Sequence, residues 1–223
     1  IVIDTANGMG GYVFPRIFEK LPQLEIIPLF SEIDMSFPNH EANPLKPENM
    51  VDLQKAVIEN KADLGIAIDG DSDRAMFVDE NGDAISSDFV TALLGLELLK
   101  EKPNAAMGYD VRSSKIVKEI WAENGAKPFV TRVGHALIKE MMRTENSFFA
   151  GELSGHYYFQ EMGYTENTIL ATLIMLNLIS KENKTLSEIV KPLKKYFQSG
   201  EINFEVEDKM AKMKELEELY KNK

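Results

Sequence analysis

The chain has 223 residues, 44% apolar and 27% charged, the balance of a soluble globular protein with one large or two small domains. Its net charge of −11 argues against a nucleic-acid surface, because phosphate backbones attract stripes of lysine and arginine; an acidic protein that binds a phosphorylated small molecule must gather its cations in one cleft. The absence of cysteine excludes disulfides and thiolate metal sites and is compatible with a reducing cytoplasm, and the longest apolar run, 168–179, is shorter than the ~18 residues that a membrane span requires.

Ile1-Val2-Ile3 reads as a strand ending at Asp4, with neither an initiator methionine nor a signal-peptide n-region, so the chain is expected to be cut from a longer one. A glycine-rich turn over 5–11 leads to a helix over 12–21, in which Pro15 is tolerable only near the first turn. A strand over 24–30 and an irregular polar stretch over 31–48 follow; Pro47 then opens a helix that runs to Asn60. A strand over 62–68 enters an acidic turn, and 75–78 pairs back as a hairpin before the tight turn Asn81-Gly82. Ser87 opens a long apolar helix that ends at Pro103-Asn104. The second half reads as strand 105–109 reaching Asp110, helix 113–123 with an Asn124-Gly125 C-cap, strand 127–131, helix 135–143, strand 147–150, turn 151–155 and return strand 156–160. Helices over 166–180 and 187–197, a strand over 200–206 and a charged helix over 208–222 complete the chain, the last pair opening a further unit.

The order β-α-β-α-β-turn-β thus occurs twice, with Ile3-Asp4 laid on Tyr109-Asp110 and Asp69 on Gly151. The expected fold is α/β: two consecutive α/β/α domains with mixed, mostly parallel four-stranded sheets, plus a C-terminal strand–helix stub of a further domain. Asp4, Asp69, Asp110 and Glu152 all fall at carboxyl ends of strands, where such sheets bind ligands.

Asp69, Asp71 and Asp73 alternate along an extended turn between two buried-type strands, a spacing that aims three carboxylates at one point. Such a set needs a cation, and its oxygen-only chemistry suits Mg²⁺, Mn²⁺ or Ca²⁺ rather than zinc; the competing reading is a solvated acidic turn. An EF-hand fits poorly, since Arg74 stands where that loop needs glycine. Arg74 reads as a counter-ion to the aspartates or as a phosphate fork. In Gly151-Glu152-Leu153-Ser154-Gly155-His156, Glu152 and Ser154 alternate and so face one ligand; a carboxylate accepting two vicinal hydroxyls is a common way to hold a sugar. His156 is either part of that site or a core histidine. Arg112 follows a strand end, and Gly134-His135 at a helix start offers backbone N–H groups to an oxyanion, each against a plain cap or surface role.

Together these residues resemble the α-D-phosphohexomutase family, in its phosphomannomutase/phosphoglucomutase branch. That family's metal loop reads Asp-Gly-Asp-Gly-Asp-Arg, here 69–74 with Ser72 for one glycine, and its sugar loop reads Gly-Glu-Met-Ser-Gly-His, here 151–156 with Leu153 for methionine. Asp4-Thr5-Ala6-Asn7-Gly8, Phe37-Pro38-Asn39-His40 and Pro47-Glu48-Asn49 are similar to its second domain, and Asp110-Val111-Arg112 and Val133-Gly134-His135 to its third. Glu166-Asn167-Thr168 replaces a usual Asp-Asp-Gly, and neither the serine loop of the family's first domain nor the phosphate loop of its fourth is present in these residues.

The resemblance implies a second domain over 1–83, a third over 84–198 and the start of a fourth over 199–223. It implies an intramolecular phosphotransferase that interconverts hexose 1-phosphate and hexose 6-phosphate, of mannose or glucose, through a phosphoserine and a bisphosphate. Mg²⁺ would sit on Asp69, Asp71 and Asp73 with Arg74 assisting; Arg112, Gly134, His135, Glu152, Ser154 and His156 would bind the substrate. The partners would be a hexose phosphate and the missing first and fourth domains, and the isolated chain would be inactive. The alternatives are a non-catalytic module that binds metal and sugar phosphate, or part of a phosphoglucosamine mutase, where glutamine is usual in place of Leu153.

Overall fold

Side chains alternate across the strands and set out two sheets. In the first, β1 (Val2–Asp4) lies parallel between β2 (Ile27–Leu29) and β3 (Gly65–Ile68); β3 then pairs antiparallel with β4 (Ala75–Val78), and β4 with β5 (Ala84–Ile85). The second has the same pattern: β6 (Ala106–Asp110) lies between β7 (Lys127–Thr131) and β8 (Phe149–Gly151), followed by β9 (Tyr157–Phe159) and β10 (Thr165–Glu166). The orders β2-β1-β3-β4-β5 and β7-β6-β8-β9-β10 superpose element for element, so the repeat is present in the topology. These coordinates are a computed structural model describing residues 1–197, 202 and 204–221.

Among the described residues each sheet has five strands, not the expected four. The added edges, β5 and β10, are two residues long, too short for a periodic signal. The second of them takes Thr165 and Glu166, so the following helix begins at Thr168.

Helices cover both faces of each sheet. Val2, Ala67 and Val78 pack on Leu53 and Val57 of α2 (Val51–Asn60), while their neighbours Ile3, Ile66, Ile68 and Phe77 enter the opposite core with Phe14 and Phe18 of α1 (Gly10–Phe18). In the second sheet Ala150 and Tyr158 meet Ile138 and Met142 of α5 (His135–Thr144), and Met107, Phe149, Tyr157 and Phe159 face the other way. That other side is shared: one apolar cluster runs through both sheets, filled by α3 (Ser87–Glu101), α4 (Lys115–Glu123) and α6 (Thr168–Glu182). α3 is buried nearly all round, as its apolar composition requires. Gly95 leaves room for Trp121 of α4: a Cβ there would lie 2.4 Å from the indole Nε1, which instead donates to the Ala92 carbonyl at 3.0 Å.

Further boundaries differ from the sequence reading: β2 is confined to Ile27–Leu29 within the expected 24–30, and the helix expected from Pro47 opens as a 3₁₀ turn, Pro47–Met50, before α2. α1 starts at Gly10, which puts Pro15 inside the helix; Gly11 sits so close to Ser31 that a Cβ would be 2.0 Å from its carbonyl oxygen. The helix expected over 187–197 is α7 (Leu186–Val190), because Pro192 turns the chain into a 3₁₀ turn, Lys191–Leu193. Of the strand expected over 200–206, positions 200, 201 and 203 lie outside the described residues, and 202 and 204–206 form none. α8 (Lys209–Tyr220) is exposed along its length and is capped by Asp208, which accepts from the Ala211 amide at 3.0 Å.

Candidate active site

Two turns, each joining a central strand to its antiparallel neighbour, carry the candidate residues. The Asp69 amide donates to the Arg74 carbonyl at 3.3 Å across the first, and the Glu152 amide to the His156 carbonyl at 3.0 Å across the second. Ile68 pairs with Ala75 where Gly151 pairs with Tyr157, so Asp69 corresponds to Glu152. The sequence overlay, with Asp69 on Gly151, is out by one residue, because only strand pairing shows where each turn begins.

In the first turn, ligand atoms of Asp69, Asp71 and Asp73 all lie within 4.8 Å of one another. Three hard oxygen donors fit a cation such as Mg²⁺, Mn²⁺ or Ca²⁺. Asp69 is buried; its Oδ1 accepts from the Arg74 amide at 3.0 Å and its Oδ2 from Arg74 Nε at 2.6 Å. Arg74 is thus the counter-ion of Asp69, and its Nη1 also donates to Asn43 Oδ1 at 3.2 Å. Burial pushes the Asp69 carboxyl above its ordinary range, and Arg74 opposes that shift. Asp71 is exposed and has no hydrogen-bond partner among the described residues. Around the turn, Gly70 donates to the Ala42 carbonyl at 3.3 Å and accepts from the Met9 amide at 2.9 Å.

The second turn is built round Asp110 and Glu152. Asp110, fully buried at the end of β6, accepts from the Arg112 amide at 2.7 Å, from Arg112 Nη2 at 2.9 Å and from the Leu153 amide at 2.7 Å. Glu152 accepts from Arg112 Nη2 at 3.3 Å on Oε1 and from the Tyr158 hydroxyl at 3.0 Å on Oε2. Burial raises the Glu152 carboxyl, but His156, Tyr158 and Arg112 outweigh it and hold the group below its usual range.

His156 joins the two turns. Its Nε2 lies 3.3 Å from Asp73 Oδ1 and its Nδ1 3.1 Å from Glu152 Oε2, with Ser154 Oγ 2.8 Å from Nδ1. Burial works against the imidazolium, yet the carboxylates of Asp73 and Glu152 prevail and raise its pKa to about 9. The same hydrogen bond holds Asp73 below its ordinary value. The Ala75 amide donates a hydrogen bond to the Gly155 carbonyl at 3.0 Å and fixes the two turns backbone to backbone. Asp69, Arg74, Asp73, His156, Ser154, Glu152, Arg112 and Asp110 therefore form one continuous polar chain, with Asp71 beside it. Gly134 and His135 stand apart: Gly134 has φ +117° and His135, at the start of α5, is exposed.

Two contributors carry no role in the sequence reading, and a third carries only part of its role there. Asn43 lies in an irregular stretch without a pattern. Tyr158 continues the alternation of Glu152, Ser154 and His156, a signal that was available. Asp110 is legible as a strand end, but not as the acceptor of three hydrogen bonds.

A further pair lies at the end of β1. His40 Nε2 meets the buried Asp4 Oδ2 at 3.0 Å, and this hydrogen bond, against the opposing effect of burial, raises the His40 pKa from 6.5 to about 8. A raised folded-state pKa contributes stability that is complete below pH 6.5 and is lost as pH rises through 8. With solvent screening of this partly buried pair the loss is expected to be on the order of 1 kcal/mol. Urea unfolding of His40→Gln should show that much less decline between pH 6 and 9 than the parent, with the part due to His156 retained.

Two family models match consecutive parts of the chain: phosphoglucomutase/phosphomannomutase α/β/α domain II over residues 1–82 and domain III over 86–196. The chain belongs to the phosphoglucomutase/phosphomannomutase family. A phosphomannomutase of Methanocaldococcus jannaschii is 42% identical over 222 residues, covering 100% of this chain and 49% of that protein. A phosphomannomutase of Vibrio cholerae is 39% identical over 219 residues, covering 96% of this chain and 47% of that protein. A crystal structure of a phosphoglucomutase/phosphomannomutase family protein from Burkholderia thailandensis superposes with a TM-score of 0.81 at 33% identity, over 88% of this chain and 43% of the other. The chain thus spans about half the length of the curated relatives it matches. Among the described residues no helix is long and apolar enough to cross a membrane.

Proposed function

We propose that this chain is the metal- and sugar-binding part of a phosphohexomutase that interconverts hexose 1-phosphate and hexose 6-phosphate of mannose or glucose. One observation carries the reading: the Asp69–Asp71–Asp73 cluster is joined through His156 to the Glu152 turn, so a cation site and a polyol site share one polar chain. The units run 1–83, 84–198 and 199–223 in this reading. The phosphoserine lies in the part of the relatives' length that this chain does not span.

Asp69, Asp71 and Asp73 would hold Mg²⁺, which when bound would supply positive charge opposite a phosphoryl group. Arg74, fixed through Nε and Nη1 by Asp69 and Asn43, presents its Nη2 to a phosphate oxygen. Glu152 and Ser154 accept sugar hydroxyls; Arg112, steadied by Asp110, and His135 contact the sugar or its phosphate. His156, cationic at neutral pH, holds Glu152 and Asp73 at a fixed separation. Most of this work is positioning and electrostatics.

Calorimetry on the purified chain should show Mg²⁺ binding that Asp71→Ala weakens at least tenfold without changing the melting temperature, because Asp71 is exposed and has no hydrogen-bond partner among the described residues. Tight binding indifferent to Asp71→Ala would remove the metal assignment. In a coupled assay the 223-residue chain should not convert glucose 1-phosphate, whereas a polypeptide supplying the rest of the relatives' length should; turnover by the chain alone would refute the division of labour.

A further inference from the structure

Ser72 stands between Asp71 and Asp73 with φ +71°, in the left-handed region that disfavours a side chain. Its hydroxyl is buried and has no hydrogen-bond partner among the described residues, so the side chain does nothing to hold this conformation. The carbonyl, however, is held: Thr168 Oγ1 donates to Ser72 O at 2.8 Å, across 96 residues of sequence. Thr168 is buried and is the first residue of α6. That helix is already capped by Asn167, whose side chain accepts from the Leu170 amide at 2.8 Å, so the Thr168 hydroxyl is spare for another task.

We infer that Thr168 is a positioning residue for the cation site: from the second unit it pins the strained Ser72 peptide of the first, and so fixes the angle between Asp71 and Asp73. The inference rests on the metal reading above for its consequence, and on geometry alone for the clamp. A serine in the left-handed region relaxes when its carbonyl is released, and two of the three carboxylates then swing apart. The same contact makes cation affinity depend on the docking of the two units.

The test uses the whole chain and two readouts. Thr168→Val keeps shape and removes the donor; Thr168→Ser keeps the donor. Hydrogen exchange without metal should speed up about fivefold at the Ser72 and Arg74 amides in Thr168→Val, the size of one lost hydrogen bond, with Ala171 and Thr172 in α6 within about twofold. Thr168→Ser should match the parent. Mg²⁺ affinity by calorimetry should fall about three- to tenfold in Thr168→Val and by less than about twofold when Ser72→Gly is added, since glycine adopts the turn without a clamp. Unchanged exchange at Ser72 and Arg74, or acceleration spread equally into α6, overturns the clamp. Loosened amides with unchanged Mg²⁺ affinity overturn the positioning role. A parent chain that binds no Mg²⁺ defeats the metal reading, while the exchange data still decide the clamp. Should Thr168→Val not fold, Thr168→Ala serves in its place.

Discussion

Replacing Asp110 by alanine should destabilise the chain by about 3–5 kcal/mol, the largest loss expected from a single side chain here. The carboxylate is wholly buried and accepts three hydrogen bonds, two from Arg112 and one from the Leu153 amide. Its removal strands two backbone N–H groups and takes a counter-ion from Arg112, whose contact to Glu152 is longer, at 3.3 Å. Asp110→Asn should be nearly as damaging, because its amide nitrogen would face either the Arg112 backbone amide or, flipped, both the Leu153 amide and Arg112 Nη2, a donor where an acceptor is needed. Urea unfolding measures the loss directly. A change below about 1 kcal/mol for both variants would mean that the second turn holds its shape without this carboxylate.

Gly8→Ala should cost about 3 kcal/mol and abolish cation binding together. A Cβ on Gly8 would lie 2.6 Å from the Gly70 carbonyl oxygen and 2.8 Å from Gly70 Cα. Both obstacles are backbone, in the residue between Asp69 and Asp71, and the adjoining Met9 amide bonds that same carbonyl at 2.9 Å. Neither side yields as a flexible side chain would, so relief comes from moving the acidic turn. Thermal unfolding together with Mg²⁺ calorimetry tests both halves; a variant with parental stability and affinity would show that the two turns are free to separate.

These two expectations differ in origin. The glycine turn over 5–11 and Asp110 at a strand end are readable from residue order, whereas the contacts that make them matter are not. Gly8 meets Gly70 because β1 and β3 lie side by side, a pairing made by the fold and not by the local sequence. The short edges β5 and β10 escaped a periodic reading for lack of length, and Asp69 slipped one place against its counterpart because residue order does not show where each turn begins.

Sequence by itself determined the α/β alternation, the acidic turn with its oxygen chemistry, and the Glu152–His156 turn, since each is a local pattern of residue types set by the period of a strand or by the donors a cation accepts. Only the tertiary structure decided that Arg74 is committed to Asp69, that His156 stands between Asp73 and Glu152, and that Thr168 reaches Ser72. Those contacts, apart from Arg74 with Asp69 and His156 with Glu152, cross from one turn or unit to another. They depend on how α3 and α6 seat two sheets on one shared core, and the free energy of that packing is distributed over many apolar side chains rather than written in any single motif.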